Sequence, residues 1–177
     1  MQARSVSRVC FLLLLLGASG VAGSGPGHFE IVTGELLNKS IPRDVYLEGS
    51  AIPVEKRNAV LIKTPAGARA LFALIVTAGF ASQLQQKYSG MLISEGRLSI
   101  CGKDAGIGSY GFGIRRTRTS GRQQAQLCLY NQAGDQVIAC DMKKDLRMRE
   151  PRPLQVMIES SDSARLYIGR YWVDLGP

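Results

Sequence analysis

The stretch AVLIKTPAGARALFALIV, residues 59–76, carries the pattern that decides the fold. Two apolar runs, Ala59–Lys63 and Leu71–Val76, flank the tetrapeptide Thr64-Pro65-Ala66-Gly67. Proline presets φ and glycine accepts positive φ, so this tetrapeptide is typical of a tight turn. The runs are short, and β-branched and aromatic residues in and around them favour strands over helices. The segment therefore predicts a β-hairpin whose second strand is buried.

Strand-length segments recur on both sides of this hairpin, separated by Gly, Asp, Asn, Pro or Ser. One helix is predicted, Phe80–Tyr88, with Ser82 as its cap and Gly90 as its stop. Short strands at this spacing predict a mainly β domain, an antiparallel sandwich or small barrel with one short helix. The other predicted strands are Phe29–Thr33, Val45–Glu48, Met91–Ile93, Arg97–Cys101, Tyr110–Arg115, Ala125–Tyr130, Gln136–Met142, Leu154–Glu159, Ala164–Ile168 and Tyr171–Leu175.

The first 23 residues have the layout of a secretory signal peptide. Arg4 and Arg8 precede the short apolar core Val9–Leu16, and small residues follow as far as Gly23. That core is too short to cross a bilayer as a helix. We therefore expect a cleaved signal (1–23), a flexible leader (24–28) and one β-rich domain (29–177). The expected location is secreted or periplasmic, with no transmembrane segment after cleavage.

Charge suggests the class of partner. The chain carries a net charge of +8, and the remainder after signal cleavage keeps about +6 of it. A basic exported domain favours a polyanion (an acidic glycan, lipopolysaccharide or an anionic lipid surface) over intracellular nucleic acid. The candidate ligand-binding residues, in eight residues free of acids, are Arg115, Arg116, Arg118 and Arg122. A second group, diluted by Asp145 and Glu150, comprises Lys143, Lys144, Arg147, Arg149 and Arg152. The alternative for both is an ordinary solvated loop between strands.

Three cysteines, Cys101, Cys128 and Cys140, remain after signal cleavage, so at most one disulfide is expected. A two-residue turn at Gly134-Asp135 would place Cys128 and Cys140 on opposite faces of a hairpin. It would also form a consistently apolar face from Leu127, Leu129, Ile138, Cys140 and Met142. A three-residue loop would instead place Cys128 across from Cys140. Proximity along the chain favours a Cys128–Cys140 bond, with Cys101–Cys128 as the next alternative.

Motifs for catalysis or for cofactor or metal binding are weak. Gly106–Gly113 matches G-x-G-x-x-G, but extended sequence follows it where a phosphate-binding loop needs a helix. It is instead predicted to be a glycine-rich turn entering a strand, with Tyr110, Phe112 and Ile114 on one face and glycines permitting close approach on the other. The single histidine, His28, lies in the leader, and no C-x-x-C pair exists. We therefore predict no catalytic residue, cofactor or metal.

These patterns favour a non-enzymatic binding or envelope-associated protein that engages a polyanion through arginine-rich loops. One alternative is a hydrolase of an extracellular or envelope polymer, with carboxylates such as Glu48, Glu55, Asp104 or Asp141. The other is an interaction module that pairs through an exposed strand edge. Two convergent carboxylates in a pocket would favour the enzyme, a long uncovered edge the module, and a concave basic face the binder. The oligomeric state stays open.

Overall fold

The computed structural model of the protein describes residues 27–119 and 122–177. The predicted signal peptide and residues 24–26 of the predicted leader lie outside the described residues. Gly27 and His28, the last two residues of that leader, lie within them and are exposed. Gly27 lies against the Thr64–Gly67 turn, where a Cβ on Gly27 would be 1.9 Å from the carbonyl oxygen of Pro65.

The described residues form thirteen strands and two short helices, which confirms the predicted mainly β architecture. Helix α2 (Ser82–Lys87) lies within the predicted helical segment, but its N-cap is Ala81, and no side chain caps it. Helix α1 (Glu35–Ser40) was not predicted. The strands are β1 (Glu30–Val32), β2 (Asp44–Leu47), β3 (Ser50–Lys63), β4 (Arg69–Ile75), β5 (Gly90–Ser94), β6 (Leu98–Ile100), β7 (Lys103–Ala105), β8 (Gly108–Thr119), β9 (Arg122–Tyr130), β10 (Gln136–Lys144), β11 (Gln155–Ile158), β12 (Ala164–Ile168) and β13 (Tyr171–Gly176).

The sheet curls into a nearly closed antiparallel barrel. Its order is β1-β3-β4-β5-β8-β9-β10-β13-β12-β11, with β2 attached to β3 and the β6–β7 hairpin attached to β13. No ladder joins β11 to β1 or β3 among the described residues, so a seam remains there. One backbone hydrogen bond crosses the seam, from the N–H of Phe29 to the carbonyl of Ser161 at 2.9 Å.

The predicted hairpin is confirmed as β3–β4. The N–H of Thr64 donates to the carbonyl of Ala68 at 2.8 Å, and Gly67 adopts the positive φ of 85° that the turn requires. Strand β4 is almost entirely buried, as predicted. Strand β3 begins at Ser50, earlier than predicted, and includes Pro53 near the end of its pairing with β2.

The two faces of the sheet pack into two apolar clusters. One fills the barrel interior and includes Phe72, Leu92, Phe112 and Leu127. The other covers the outside of the sheet, where β2 contributes Leu47, α2 contributes Leu84, and the C-cap of α2 is Tyr88. Both faces of the central strands are therefore buried, which explains why their sequences are nearly continuous apolar runs.

The glycine-rich segment behaves as predicted. Phe112 of β8 belongs to the interior cluster, and the partly buried Tyr110 and Ile114 pack against it. On the opposite face, a Cβ on Gly113 would lie 1.9 Å from the carbonyl oxygen of Lys87, and one on Gly111 would lie 2.5 Å from the Tyr88 ring. Glycine at these positions allows α2 to rest directly on the backbone of β8.

The disulfide joins Cys101 to Cys140, with Cα atoms 6.4 Å apart, so the pairing favoured by sequence proximity is wrong. Leu127 is opposite Cys140 and Ala139 is opposite Cys128, so the two cysteines of this hairpin face opposite sides of the sheet. Cys128 is buried and unbonded. Cys101 reaches Cys140 because β6 pairs with the end of β13, which brings the β6–β7 turn alongside β10.

Candidate functional site: the basic end of the barrel

The two basic segments found in the sequence meet at one end of the barrel. In this antiparallel order β8 ends, β9 begins, β10 ends and β13 begins at the same end. The loop from β10 to β11 lies there too, because the N–H of Gly169 in the β12–β13 turn donates to the carbonyl of Arg152 at 3.1 Å. We call this the basic end and define it by Arg57, Arg116, Arg118, Lys144, Arg147, Arg149 and Arg152, all of which are exposed.

The first segment is a strand pair and not the predicted loop. Arg115, Arg116 and Arg118 lie within β8, and Arg122 is the first residue of β9, with its backbone opposite Thr119. An unbroken register from Gly111↔Tyr130 to Thr119↔Arg122 extends this hairpin. The predicted end of the strand at Arg115 was wrong because polar side chains are accommodated where the hairpin reaches the solvent at the barrel rim.

Strand alternation separates the predicted arginines. Arg116 and Arg118 lie on the face of β8 that carries Phe112 and Ile114, and they are exposed at the rim of the barrel. Arg115 lies on the opposite face, where its guanidinium donates to Oε1 of Gln136 at 2.9 Å. The predicted site is therefore divided between two surfaces, of which only one belongs to the basic end.

The second segment is ordered by its acidic residue. Oδ1 of Asp145 accepts the N–H groups of Arg147 at 2.8 Å and Met148 at 3.1 Å, so this carboxylate is engaged by backbone. Lys143 faces the outer side of the sheet, 3.1 Å from Oδ2 of Asp174 and 4.6 Å from the Trp172 ring centroid. The remaining basic residues of the segment form no ion pair with a described acid.

A cleft of about 280 Å³ opens at the seam on the same end. One arginine stands on each wall of the cleft, Arg57 from β3 and Arg152 from the loop before β11. Sequence analysis did not find Arg57, since it reaches the cleft only when the barrel brings β3 beside β11. The other lining residues are Ile31, Asn58, Ala59, Val60, Pro153, Leu154, Gln155 and Val156.

Clefts also lie elsewhere on the described residues. One of about 520 Å³ is lined by residues 107–110 and 131–133. One of about 300 Å³ includes His28 and Glu30, and one of about 40 Å³ includes Glu95. None of these clefts, nor the seam cleft, is lined by two carboxylates. Within the described ranges, no three His, Cys, Asp or Glu side chains are grouped to hold a metal ion.

The carboxylate of Glu48, a candidate for hydrolysis, lies in a polar cluster that sequence analysis missed. Glu48 forms an ion pair with Lys87 and accepts the Tyr88 hydroxyl at 2.8 Å, while Lys87 donates to the Gly134 carbonyl at 2.7 Å. The ammonium group also lies 4.8 Å from the Tyr130 ring centroid. Hydrogen bonds from Lys87 and then Tyr88 lower the pKa of Glu48, and burial raises the pKa of Tyr88. These contacts tie α2 to two loops.

Comparison with known proteins identified no relative, since the chain matches no family model, no curated protein and no solved structure. Within the described ranges, no helix is long and apolar enough to cross a membrane. Fold and surface together define a small antiparallel barrel with one strongly basic end.

Proposed function

We propose that the protein binds a polyanionic ligand through the basic end of its barrel. The observation that supports this is the convergence of seven exposed basic side chains from three separate parts of the chain, none paired with a described acid. Like charges held together by a fold repel one another, and a ligand rich in phosphate, sulfate or carboxylate relieves that repulsion.

Acidic residues lie at both ends of the barrel. At the basic end Glu55 accepts a hydrogen bond from Asn58 at 2.7 Å, Asp145 is engaged by backbone, and Glu150 is exposed. The opposite end carries Asp135 and Asp162 in its turns. The asymmetry therefore comes from the seven basic side chains of the basic end, which pair with no described acid and would attract a polyanion to that end.

Neither alternative function gains a comparable observation. The four described clefts lack the paired carboxylates that a hydrolase of this kind needs. The edge strands at the seam are short, three residues in β1 and four in β11, which offers little length for the addition of a partner strand.

The proposal predicts that charge at the basic end, and not total charge, governs retention on an immobilised polyanion. The variant Arg116→Gln/Arg118→Gln should elute from heparin at lower salt than the unmodified protein. The slope of its log affinity against log salt concentration should become shallower by about two, because two contacts that release counterions are lost. Its free energy of unfolding should change by less than about 1 kcal/mol, because exposed charges contribute little to folding. Salt-gradient elution and thermal melting measure both quantities.

The matched control is Lys63→Gln/Arg97→Gln, which removes the same charge from exposed positions at the opposite end of the barrel. We expect this control to elute nearly as the unmodified protein does. Equal losses in the two variants would mean that attraction is non-specific, and an unchanged Arg116→Gln/Arg118→Gln variant would contradict the proposal.

We infer that the protein is exported, so that its ligand is extracellular or belongs to the cell envelope. The Cys101–Cys140 disulfide supports an oxidising compartment, and the sequence of residues 1–23 supports a cleaved signal. Intact-mass measurement of the protein recovered from the culture medium or periplasm is expected to place the mature N-terminus between residues 21 and 26. Retention of residues 1–20 would contradict export by this route.

A further inference from the structure

We propose that the polyanion is an anionic lipid surface and that Leu146 inserts into it, an inference that rests on the proposed function. Leu146 is 78% exposed, the largest exposed fraction among the large hydrophobic residues of the described chain. It stands inside the second basic segment, between Lys144 and Arg147, at the basic end. An exposed apolar side chain therefore lies among exposed cations of the basic end.

The presentation of Leu146 is fixed by hydrogen bonds on both sides. The N–H of Asp145 donates to the carbonyl of Arg170 at 2.9 Å, and the Asp145 carboxylate accepts the two N–H groups that follow Leu146. The guanidinium of Arg170 donates to the carbonyl of Met148. The loop is thus tied to the β12–β13 turn, while its leucine remains exposed to solvent.

A lipid surface can bind both the cations and the exposed leucine, whereas a glycan can bind only the cations. Arginine and lysine side chains bind the phosphates of anionic headgroups, and a leucine beside them can leave water for the boundary between headgroups and acyl chains. An acidic glycan satisfies the cations but offers no hydrocarbon layer for Leu146. The exposed leucine therefore distinguishes between two ligands that the charges alone cannot separate.

The test measures binding to phosphatidylcholine vesicles with and without phosphatidylglycerol. We expect binding only to the anionic vesicles, and Leu146→Ser should weaken it about ten-fold, the loss that corresponds to returning a largely buried leucine to water. The matched control is Ile107→Ser, since Ile107 is 75% exposed but follows β7 at the opposite end of the barrel. It should bind vesicles as the unmodified protein does, and neither substitution should alter elution from heparin.

A second readout reports insertion directly. In a Trp172→Phe background, which removes the one native tryptophan, Leu146→Trp should show blue-shifted emission when anionic vesicles are added. Retention on heparin without vesicle binding would overturn the lipid assignment and leave a soluble polyanion as the ligand. Vesicle binding that Leu146→Ser leaves unchanged would overturn the insertion of Leu146. Failure to bind either heparin or vesicles would overturn the proposed function itself.

Discussion

Replacement of Gly113 by alanine is expected to lower the free energy of unfolding by about 3 kcal/mol or more. The added Cβ would lie 1.9 Å from the carbonyl oxygen of Lys87, a backbone atom that cannot move without displacing α2 from β8. Displacement of α2 would also disturb the contacts of Lys87 with Glu48 and Gly134. Chemical denaturation monitored by circular dichroism measures the loss.

Gly106→Ala is the matched control, since it lies in the same glycine-rich run. A Cβ there would meet only the hydroxyl of Tyr110 at 3.7 Å, an ordinary contact distance. We expect its stability to change by less than about 0.5 kcal/mol. If Gly113→Ala proved as stable as this control, the close packing of α2 on β8 would be wrong.

Removal of the disulfide is expected to produce the second large effect. The Cys101–Cys140 bond spans 39 residues, and closure of a loop of that length restricts the unfolded chain enough to contribute about 3–4 kcal/mol. The Cys101→Ser/Cys140→Ser variant should therefore unfold at a markedly lower denaturant concentration. The unmodified protein should show a similar loss in the presence of a reductant.

The pairing itself can be tested without unfolding measurements. Proteolysis without reductant should release one linked peptide that contains Cys101 and Cys140, and Cys128 should react with an alkylating agent only after denaturation because it is buried. The control variant Cys128→Ala should keep the linked peptide. A peptide that links Cys128 to either of the other two cysteines would contradict the structure.

Elements whose partners are close along the chain were predictable from the sequence. The β3–β4 hairpin followed from one turn between two apolar runs, and the glycine-rich strand followed from alternation of aromatic residues with glycine. The predicted apolar face of the β9–β10 hairpin is also confirmed. The connection is five residues long instead of two, and a β-bulge between Gln136 and Ile138 offsets one of the three added residues. The net register shift is therefore two residues, which leaves these side chains on their predicted face.

Periodicity and turn chemistry within short segments were enough to predict the mainly β class and the position of most strands. They also predicted the faces of side chains in β8 and in the β9–β10 hairpin. The tertiary structure alone decided which distant segments meet. Cys101 joins Cys140 because β6 pairs with β13, and Arg57 faces Arg152 because the barrel brings β3 beside β11. Such contacts depend on the order of the strands in the sheet. That order is set by the packing of two whole apolar clusters, and no single spacing in the sequence predicts it.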